Sequence, residues 1–363
     1  MLNYLLKRIA LMVPTLVGIM LMTFAVIQFV PGGPIEQIIS KLEGNNSDVT
    51  SRISGSGSET PGGGGEESNS KYRGAQGLDP EFIKSLEKQF GFDQPVHIRF
   101  LKMIRDYAMF DFGESYFRDR SVVSLILEKM PVSISLGLWL TLVTYFISIP
   151  LGIRKAVNDG TPFDIWTSVV IIIGYAIPSF IFAIMLIVFF AGGSYYSFFP
   201  LRGLTSDNFN ELSVLGKIGD YIWHLALPLI ALGIGGFATM TMLTKNSFLD
   251  EIRKQYVTTA RAKGLTESKV LYGHVFRNAM LLVISGFPGA FLGAFFAGTL
   301  LIEQIFSLDG LGYLGFTSAL QRDYPVFFGN LYIMTLIGLV VSLISDLTYV
   351  WIDPRIDFET RET

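Results

Sequence analysis

Six predominantly apolar runs, at about 9–30, 131–153, 165–190, 223–243, 281–302 and 326–350, alternate with polar stretches along the chain. The first of them would rise about 33 Å as a helix, which matches the hydrocarbon thickness of a bilayer, and the others are of similar reach. The pattern predicts an all-α integral membrane protein with six transmembrane helices. Pro14 lies in the first run, and Gly174 and Pro178 in the third, where they are expected to kink the helix. Gly233, Gly235 and Gly236 in the fourth run, and Gly286, Gly289, Gly293 and Gly298 in the fifth, let a neighbouring helix approach closely. For the fifth, that neighbour is either in the same bundle or in a second subunit.

The polar stretches set the expected topology. Lys7 and Arg8 precede the first run, and Phe29-Val30-Pro31-Gly32-Gly33-Pro34 offers no small-residue cleavage site, so residues 1–30 read as a retained first helix with a cytoplasmic start. Residues 31–130 form an external insert. Within it, 44–77 is rich in Gly, Ser, Asn and Glu and is expected to be flexible. Residues 79–129 should then form a small helical subdomain. Asp79 and Pro80 open a helix whose apolar face is Phe82, Ile83, Leu86 and Phe90, with Gly91 closing it. A second helix over 95–107 lines up Val96, Phe100, Met103 or Ile104, and Tyr107. These faces suit either an external docking surface or a lid on the bundle. Residues 131–350 are the five-helix core and 351–363 a cytoplasmic tail. Arg154 and Lys155 mark the second run's cytoplasmic end, and Tyr195, Tyr196, Phe198 and Phe199 fit an interfacial belt in the external loop 191–221.

The loop 245–280, between the fourth and fifth runs, is the most informative stretch. It carries Lys245, Arg253, Lys254, Arg261, Lys263, Lys269 and Arg277 against Asp250, Glu251 and Glu267, an excess that marks a cytoplasmic loop. Ile252, Tyr256, Val257 and Ala260 share one helical face, Gly264 stands where a C-cap glycine would, and Thr266 can cap a second run holding Val270, Leu271, Val275 and Phe276. Two short helices around a glycine corner would project a rigid handle from the membrane.

Composition agrees with this reading. The 363-residue chain is 50% hydrophobic and 13% aromatic, too apolar for a soluble domain of that length. Its net charge of −3 implies no nucleic-acid partner. There is no cysteine, and His97, His224 and His274 lie far apart, so no metal site is expected. No G-x-x-x-x-G-K-[ST] loop occurs, since Gly216-Lys217 is followed by Ile218, and no catalytic constellation is visible. Asp346 is the one carboxylate inside an expected span, about a turn from its exit, a place that favours pairing with a nearby cation over proton coupling.

The segment Thr258-Thr259-Ala260-Arg261-Ala262-Lys263-Gly264, so placed, resembles the EAA loop of ABC importer permeases. Thr258 and Thr259 stand where Glu and Ala are usual, and Arg277-Asn278-Ala279 follows in place of the common closing pattern, a variant similar to the oligopeptide and dipeptide branch. The stretches GFDQPVHIRF (91–100) and Phe112–Tyr116 resemble the B-type subunit of that branch, as do PGGP (31–34), IPLGIRKAV (149–157), FFAGGSYY (189–196), TMLTKNSFLDEIRKQYV (241–257) and DPRIDFE (353–359). The resemblance implies a type I importer permease fold in the bacterial inner membrane, multi-pass, with both termini cytoplasmic. It implies peptide uptake with a second permease subunit, a cytoplasmic ABC ATPase that holds the ATP and Mg, and a periplasmic peptide-binding protein; lipid surrounds the chain, which itself binds no cofactor. Tyr256, Thr258, Thr259, Ala260, Arg261, Ala262, Lys263, Gly264 and Arg277 are the implied ATPase-coupling residues. The outer stretch 303–312 is expected to meet the binding protein or substrate. The rival reading, an ion-coupled carrier acting alone, would need buried ionisable groups along a path and inverted repeats, and neither is visible.

Overall fold

The computed structural model describes residues 2–29, 35, 36, 38, 80–89, 92–192, 195–296 and 299–352. The expected flexible stretch 44–77 and the tail from Asp353 lie outside these, as do the side chains of Phe82, Leu86 and Phe90. Among the described residues the chain is helical, with one isolated β-bridge between Glu114 and Ser121. In order the helices are α1 (Leu2–Phe29), α2 (Pro80–Gln89), α3 (Val96–Ala108), α4 (Val122–Val157), α5 (Pro162–Ala176), α6 (Ser179–Phe190), α7 (Val214–Ile252), α8 (Gln255–Ala262), α9 (Glu267–Val270), a π turn (Leu271–Val275), α10 (Phe276–Ser285), α11 (Phe287–Phe296), α12 (Thr299–Ile305), α13 (Leu311–Gln321) and α14 (Tyr324–Ile352). Five helical stretches are long and apolar enough to span a bilayer, and α5 with α6 makes a sixth if that bent pair counts as one.

Several elements outrun their apolar runs. Helix α4 starts at Val122 instead of near Pro131, and α7 extends from Val214 to Ile252, where Ser213 caps its start by accepting from the Gly216 amide at 3.2 Å. Polar flanks thus continue the helix past the lipid. The kink expected in the third run is a corner of 97°. Pro178 lacks an amide hydrogen and forces Ile177 into an extended conformation (φ −86°, ψ 120°), so α5 cannot run on into α6. The fifth run is interrupted, passing from α10 to α11 and α12.

The chain divides into two compact units. One comprises 129–313 with both chain ends and holds the loop 245–280. In it α4 and α7 pack closely at Gly152, where a Cβ would lie 2.6 Å from Thr244 Cβ and 2.8 Å from the Thr241 carbonyl oxygen. Buried Thr144, Ser148, Thr241 and Thr244 line the same helix pair, and Ser148 Oγ donates to the Phe237 carbonyl at 3.3 Å. The same unit contains a fully buried carboxylate, Glu303, at the end of α12 and beyond the expected fifth span. It accepts from Tyr313 N at 2.7 Å and Ser133 Oγ at 3.2 Å, and Ser133 Oγ in turn accepts from Leu311 N at 2.8 Å. The stretch 306–313 is thereby folded back onto α4 at Ser133. Burial raises the Glu303 pKa, partly offset by the Tyr313 and Ser133 hydrogen bonds, with Asp309 adding repulsion.

The other unit comprises 5–128 and 314–336. Residues 79–129, expected to be a subdomain, share this unit with α1 and the start of α14. Phe100, Met103, Ile104 and Tyr107 of α3 turn inward as the periodicity requires, whereas Val96 is exposed. Phe24 of α1 lies with Phe100 and Phe328, and Arg99 stacks over Phe92 at 4.1 Å. The Phe112–Tyr116 motif has a structural task here. Phe112 packs against Tyr107 and Tyr332, Gly113 takes φ 72°, and Ser115 Oγ and Tyr116 N donate to the buried Asp323 carboxylate just ahead of α14.

Two stability outcomes follow. Gly152→Ala should destabilise the α4–α7 contact by about 1–3 kcal/mol through overpacking against backbone, whereas Gly235→Ala, with open space around it, should not. Thermal unfolding of the two purified variants checks this. Glu303→Gln should raise the melting temperature at neutral and higher pH. Because the folded state holds Glu303's proton more tightly than the unfolded chain does, that gain should shrink as pH falls from the raised folded pKa to the ordinary Glu range, and vanish below it.

Candidate functional site

The handle predicted at 245–280 is built from the inside outward. Val257 and Ala260 of α8 are buried with Phe248 of α7, Val270 and Val275 beyond the corner, Ala279, Met280 and Val283 of α10, and Ile153 and Ala156 of α4. Tyr256, Ile252 and Leu265 pack on the rim of that cluster. Ser247 Oγ donates to the Ala279 carbonyl at 2.6 Å, joining α7 to α10. Helix α8 is therefore seated on three others by one face.

At the corner Gly264 has φ +80°, its amide donates to the Arg261 carbonyl at 2.9 Å, and the Leu265 amide reaches the Ala260 carbonyl at 3.4 Å. This is a Schellman cap, with Leu265 folding back onto the apolar seat. A Cβ on Gly264 would meet nothing within 4 Å, so the glycine is needed for its left-handed backbone and not for space. Arg261 spans the corner with two bonds to Glu267, at 2.9 and 3.1 Å, both side chains facing solvent. Thr266 occupies the N-cap position in extended conformation but gives no side-chain cap. At the other end Glu251 is paired with Lys254 and accepts from Tyr256 Oη at 2.7 Å. Burial pushes the Tyr256 pKa up, which keeps the phenol proton that this bond needs.

The predicted coupling residues divide by orientation. Thr258, Thr259, Arg261, Ala262, Lys263, Gly264 and Arg277 are exposed, Tyr256 is half-buried, and Ala260 is buried in the seat. Ala260 and Tyr256 therefore belong to the handle's attachment, while the others form its open surface. A shallow depression beside the corner is lined by Leu265, Ser268, Lys269, Tyr272, Gly273 and His274. The second predicted helix is not separate: α9 runs through the π turn into α10.

Lys245 is not part of the loop's basic surface. It lies inside α7, 9% exposed, and its Nζ bonds both oxygens of Asp164, at 2.9 and 2.7 Å, and Asp159 Oδ1 at 2.9 Å. Lys155 of α4, read from sequence as a flank marker, is fully buried and turned to the same carboxylate. Its Nζ is 2.9 Å from Asp164 Oδ1, 2.8 Å from the Asp164 carbonyl, 2.7 Å from Thr167 Oγ1 and 2.8 Å from Ser168 Oγ. Gly160 N donates to Asp164 Oδ2 at 3.2 Å. Sequence reasoning missed this cluster because Lys245 is distant from the other members in sequence. The available signal was the alternation Lys155, Asp159, Asp164 across one short turn, with an acid in the first turn of α5 where the helix dipole favours it.

Residues 148–358 match the family of binding-protein-dependent transport system inner membrane components. The chain belongs to that family. The match takes in the charge cluster, the α5–α6 corner and the whole handle. The chain is 65% identical over 360 residues to the peptidoglycan transport system permease protein YejB of Agrobacterium fabrum, covering 99% of both chains. It is 58% identical over 361 residues to the inner membrane ABC transporter permease protein YejB of Escherichia coli O157:H7, again covering 99% of both. The oligopeptide transport system permease protein AppB of Bacillus subtilis is 32% identical over 360 residues, 98% of this chain and 99% of that one. These relatives agree with the B-type resemblance, and the two most similar of the three are both YejB permeases. The family and the helical architecture place the chain among type I importer permeases, as a transporter permease subunit.

Gly264→Ala should loosen the corner by about 1 kcal/mol although nothing obstructs the methyl group, and Gly264→Asn should cost less because Asn tolerates the left-handed region. Hydrogen exchange of the 255–270 amides in the purified protein checks the order Gly, Asn, Ala.

Proposed function

We propose that this chain is a membrane-spanning permease subunit of an ATP-driven importer that takes up oligopeptides or peptide-containing compounds across the bacterial inner membrane. In this reading a separate cytoplasmic ATPase grips the loop 245–280. The observation that carries it is the way α8 is held: Val257 and Ala260 lock it to the spans while Thr258, Thr259, Arg261, Ala262, Lys263 and Gly264 are left outward. A helix seated by one face on three others transmits a push, and a mobile loop would not. Arg277, exposed on α10, extends the same basic surface.

The substrate class rests on the relatives, which are permeases of peptidoglycan and oligopeptide transport systems. Both termini lie on the ATPase side, a second permease subunit completes the passage, and an external peptide-binding protein delivers cargo. ATP and Mg are held by the ATPase, and this chain supplies no group to their chemistry. An ion-coupled carrier acting alone is set aside, because the family is one of binding-protein-dependent systems.

The double variant Arg261→Glu with Lys263→Glu should reach the membrane normally yet retain ~10-fold less ATPase on co-purification, the scale of losing 1–2 kcal/mol at a charged contact. ATP hydrolysis that remains should no longer drive uptake. Undiminished co-purification together with normal coupling would remove the loop from the mechanism.

A further inference from the structure

The charge cluster behind the handle is unused by anything argued so far. Its four members sit on four pieces of chain: Lys155 on α4, Asp159 in the turn after it, Asp164 in the first turn of α5, and Lys245 on α7. From Lys245 the chain runs through the last two turns of α7 to Arg253, whose Nη2 is 3.7 Å from Asp159, and then across an extended Lys254 into α8. A force applied to α8 therefore reaches α4 by two routes, the apolar seat at Ile153 and Ala156 and, through α7, this cluster, which ties α7 to α5 by charge.

We propose that Asp164, with Lys155, Lys245 and Asp159, is the joint that carries movement of α7 and α8 into α4 and α5, and that these four are positioning residues for transport. This rests on the reading of 245–280 as the ATPase's grip. Both oxygens of one carboxylate hold Lys245, one of them also holds Lys155, and Lys155 is further bound to Thr167 and Ser168 of α5. Apolar surfaces slide past one another at little cost, whereas this contact is directional and dry. Displacing α7 from α5 would strand a buried ammonium or carboxylate, so the three helices move as one body or the cluster must break. Fixing register between elements is the best attested use of such buried ionic groups. The attachment also explains why two cations converge on one acid: Lys155 fixes α4 to α5, and Lys245 fixes α7 to both. Helix α6, beyond the right-angle corner, packs directly on α7, where Ala183 and Leu186 are buried with Leu225, Leu227 and Ala231.

The test uses the complete transporter in proteoliposomes, with an isotope-labelled mixture of oligopeptides and murein peptides as cargo. Uptake, ATP hydrolysis and ATPase co-purification are measured together. For Asp164→Asn, hydrolysis should stay within about twofold of the parent while peptide moved per ATP falls at least about tenfold. Asp159→Asn removes a half-exposed partner and leaves Lys155, Asp164 and Lys245 joined, and should lower the same ratio about threefold. It decides the matter if Asp164→Asn fails to reach the membrane. A merely structural role would lower uptake and hydrolysis in proportion and leave their ratio alone, and that result overturns the proposal. An unchanged ratio here, with ATPase lost from the Arg261→Glu, Lys263→Glu double variant, sinks the joint and spares the grip. Normal ATPase binding and coupling in that double variant sinks the grip and the joint together.

Discussion

A charge taken out of water must be met by a partner, and three buried acids organise this chain by enforcing that rule. Each stands next to a turn and is satisfied by groups distant in sequence or on another element. Asp164 is met by Lys155 and Lys245, Glu303 by Ser133 and the Tyr313 amide, and Asp323 by Ser115 and the Tyr116 amide. Leaving any of them unpaired would cost several kcal/mol, more than one apolar contact returns. The loops adjoining the spans are therefore pinned where apolar packing alone would leave them loose.

The three differ in what they receive. Glu303 and Asp323 accept hydrogen bonds from neutral hydroxyl and amide donors, which position a loop backbone but do not cancel a charge. Asp164 receives two ammonium groups, one wholly buried and one nearly so. Dipoles suit a stretch that has only to stay folded. Two opposed cations suit a place where separate helices must hold fixed register, because the attraction survives small changes of geometry while complete separation is prohibitive.

Six spans were legible because bilayer thickness fixes the length of an apolar run. So were the start of α2 at Pro80, the amphipathic face of α3 from Phe100 to Tyr107, and the glycine corner at Gly264, since all three follow from local chemistry. What escaped was set by long-range contact. A right angle at Pro178 could not be told from a mild kink, because the angle is decided by α7, against which Gly174 packs so tightly that a Cβ would lie 3.1 Å from Ile234. Lys155 and Lys245 looked like ordinary positive flanks, and only the fold shows them turned inward. Ala260, counted with the open residues of its motif, proved to be the seat. Helical phase placed it with Val257 and away from Arg261, so the face was readable even where the motif blurred it.

The handle is held differently on its two sides, and that asymmetry has a mechanical meaning under the proposed coupling. Toward α7, the path from α8 passes Arg253 and Lys245 into the Asp164 cluster, with charged contacts and no irregular turn between Val214 and Ile252. Toward α10, it passes the Gly264 corner, the four-residue α9 and then a π turn over Leu271–Val275. A π turn leaves the regular hydrogen-bond ladder and is a common site of local rearrangement in otherwise continuous helices. Under the proposed coupling, motion of the handle reaches α7 and passes from α7 through Asp164 into α4 and α5, while Ser247 holds α10 to α7. Under that proposed coupling, the exposed surface of α8 would determine what grips the chain, and the buried acid behind it which helices answer.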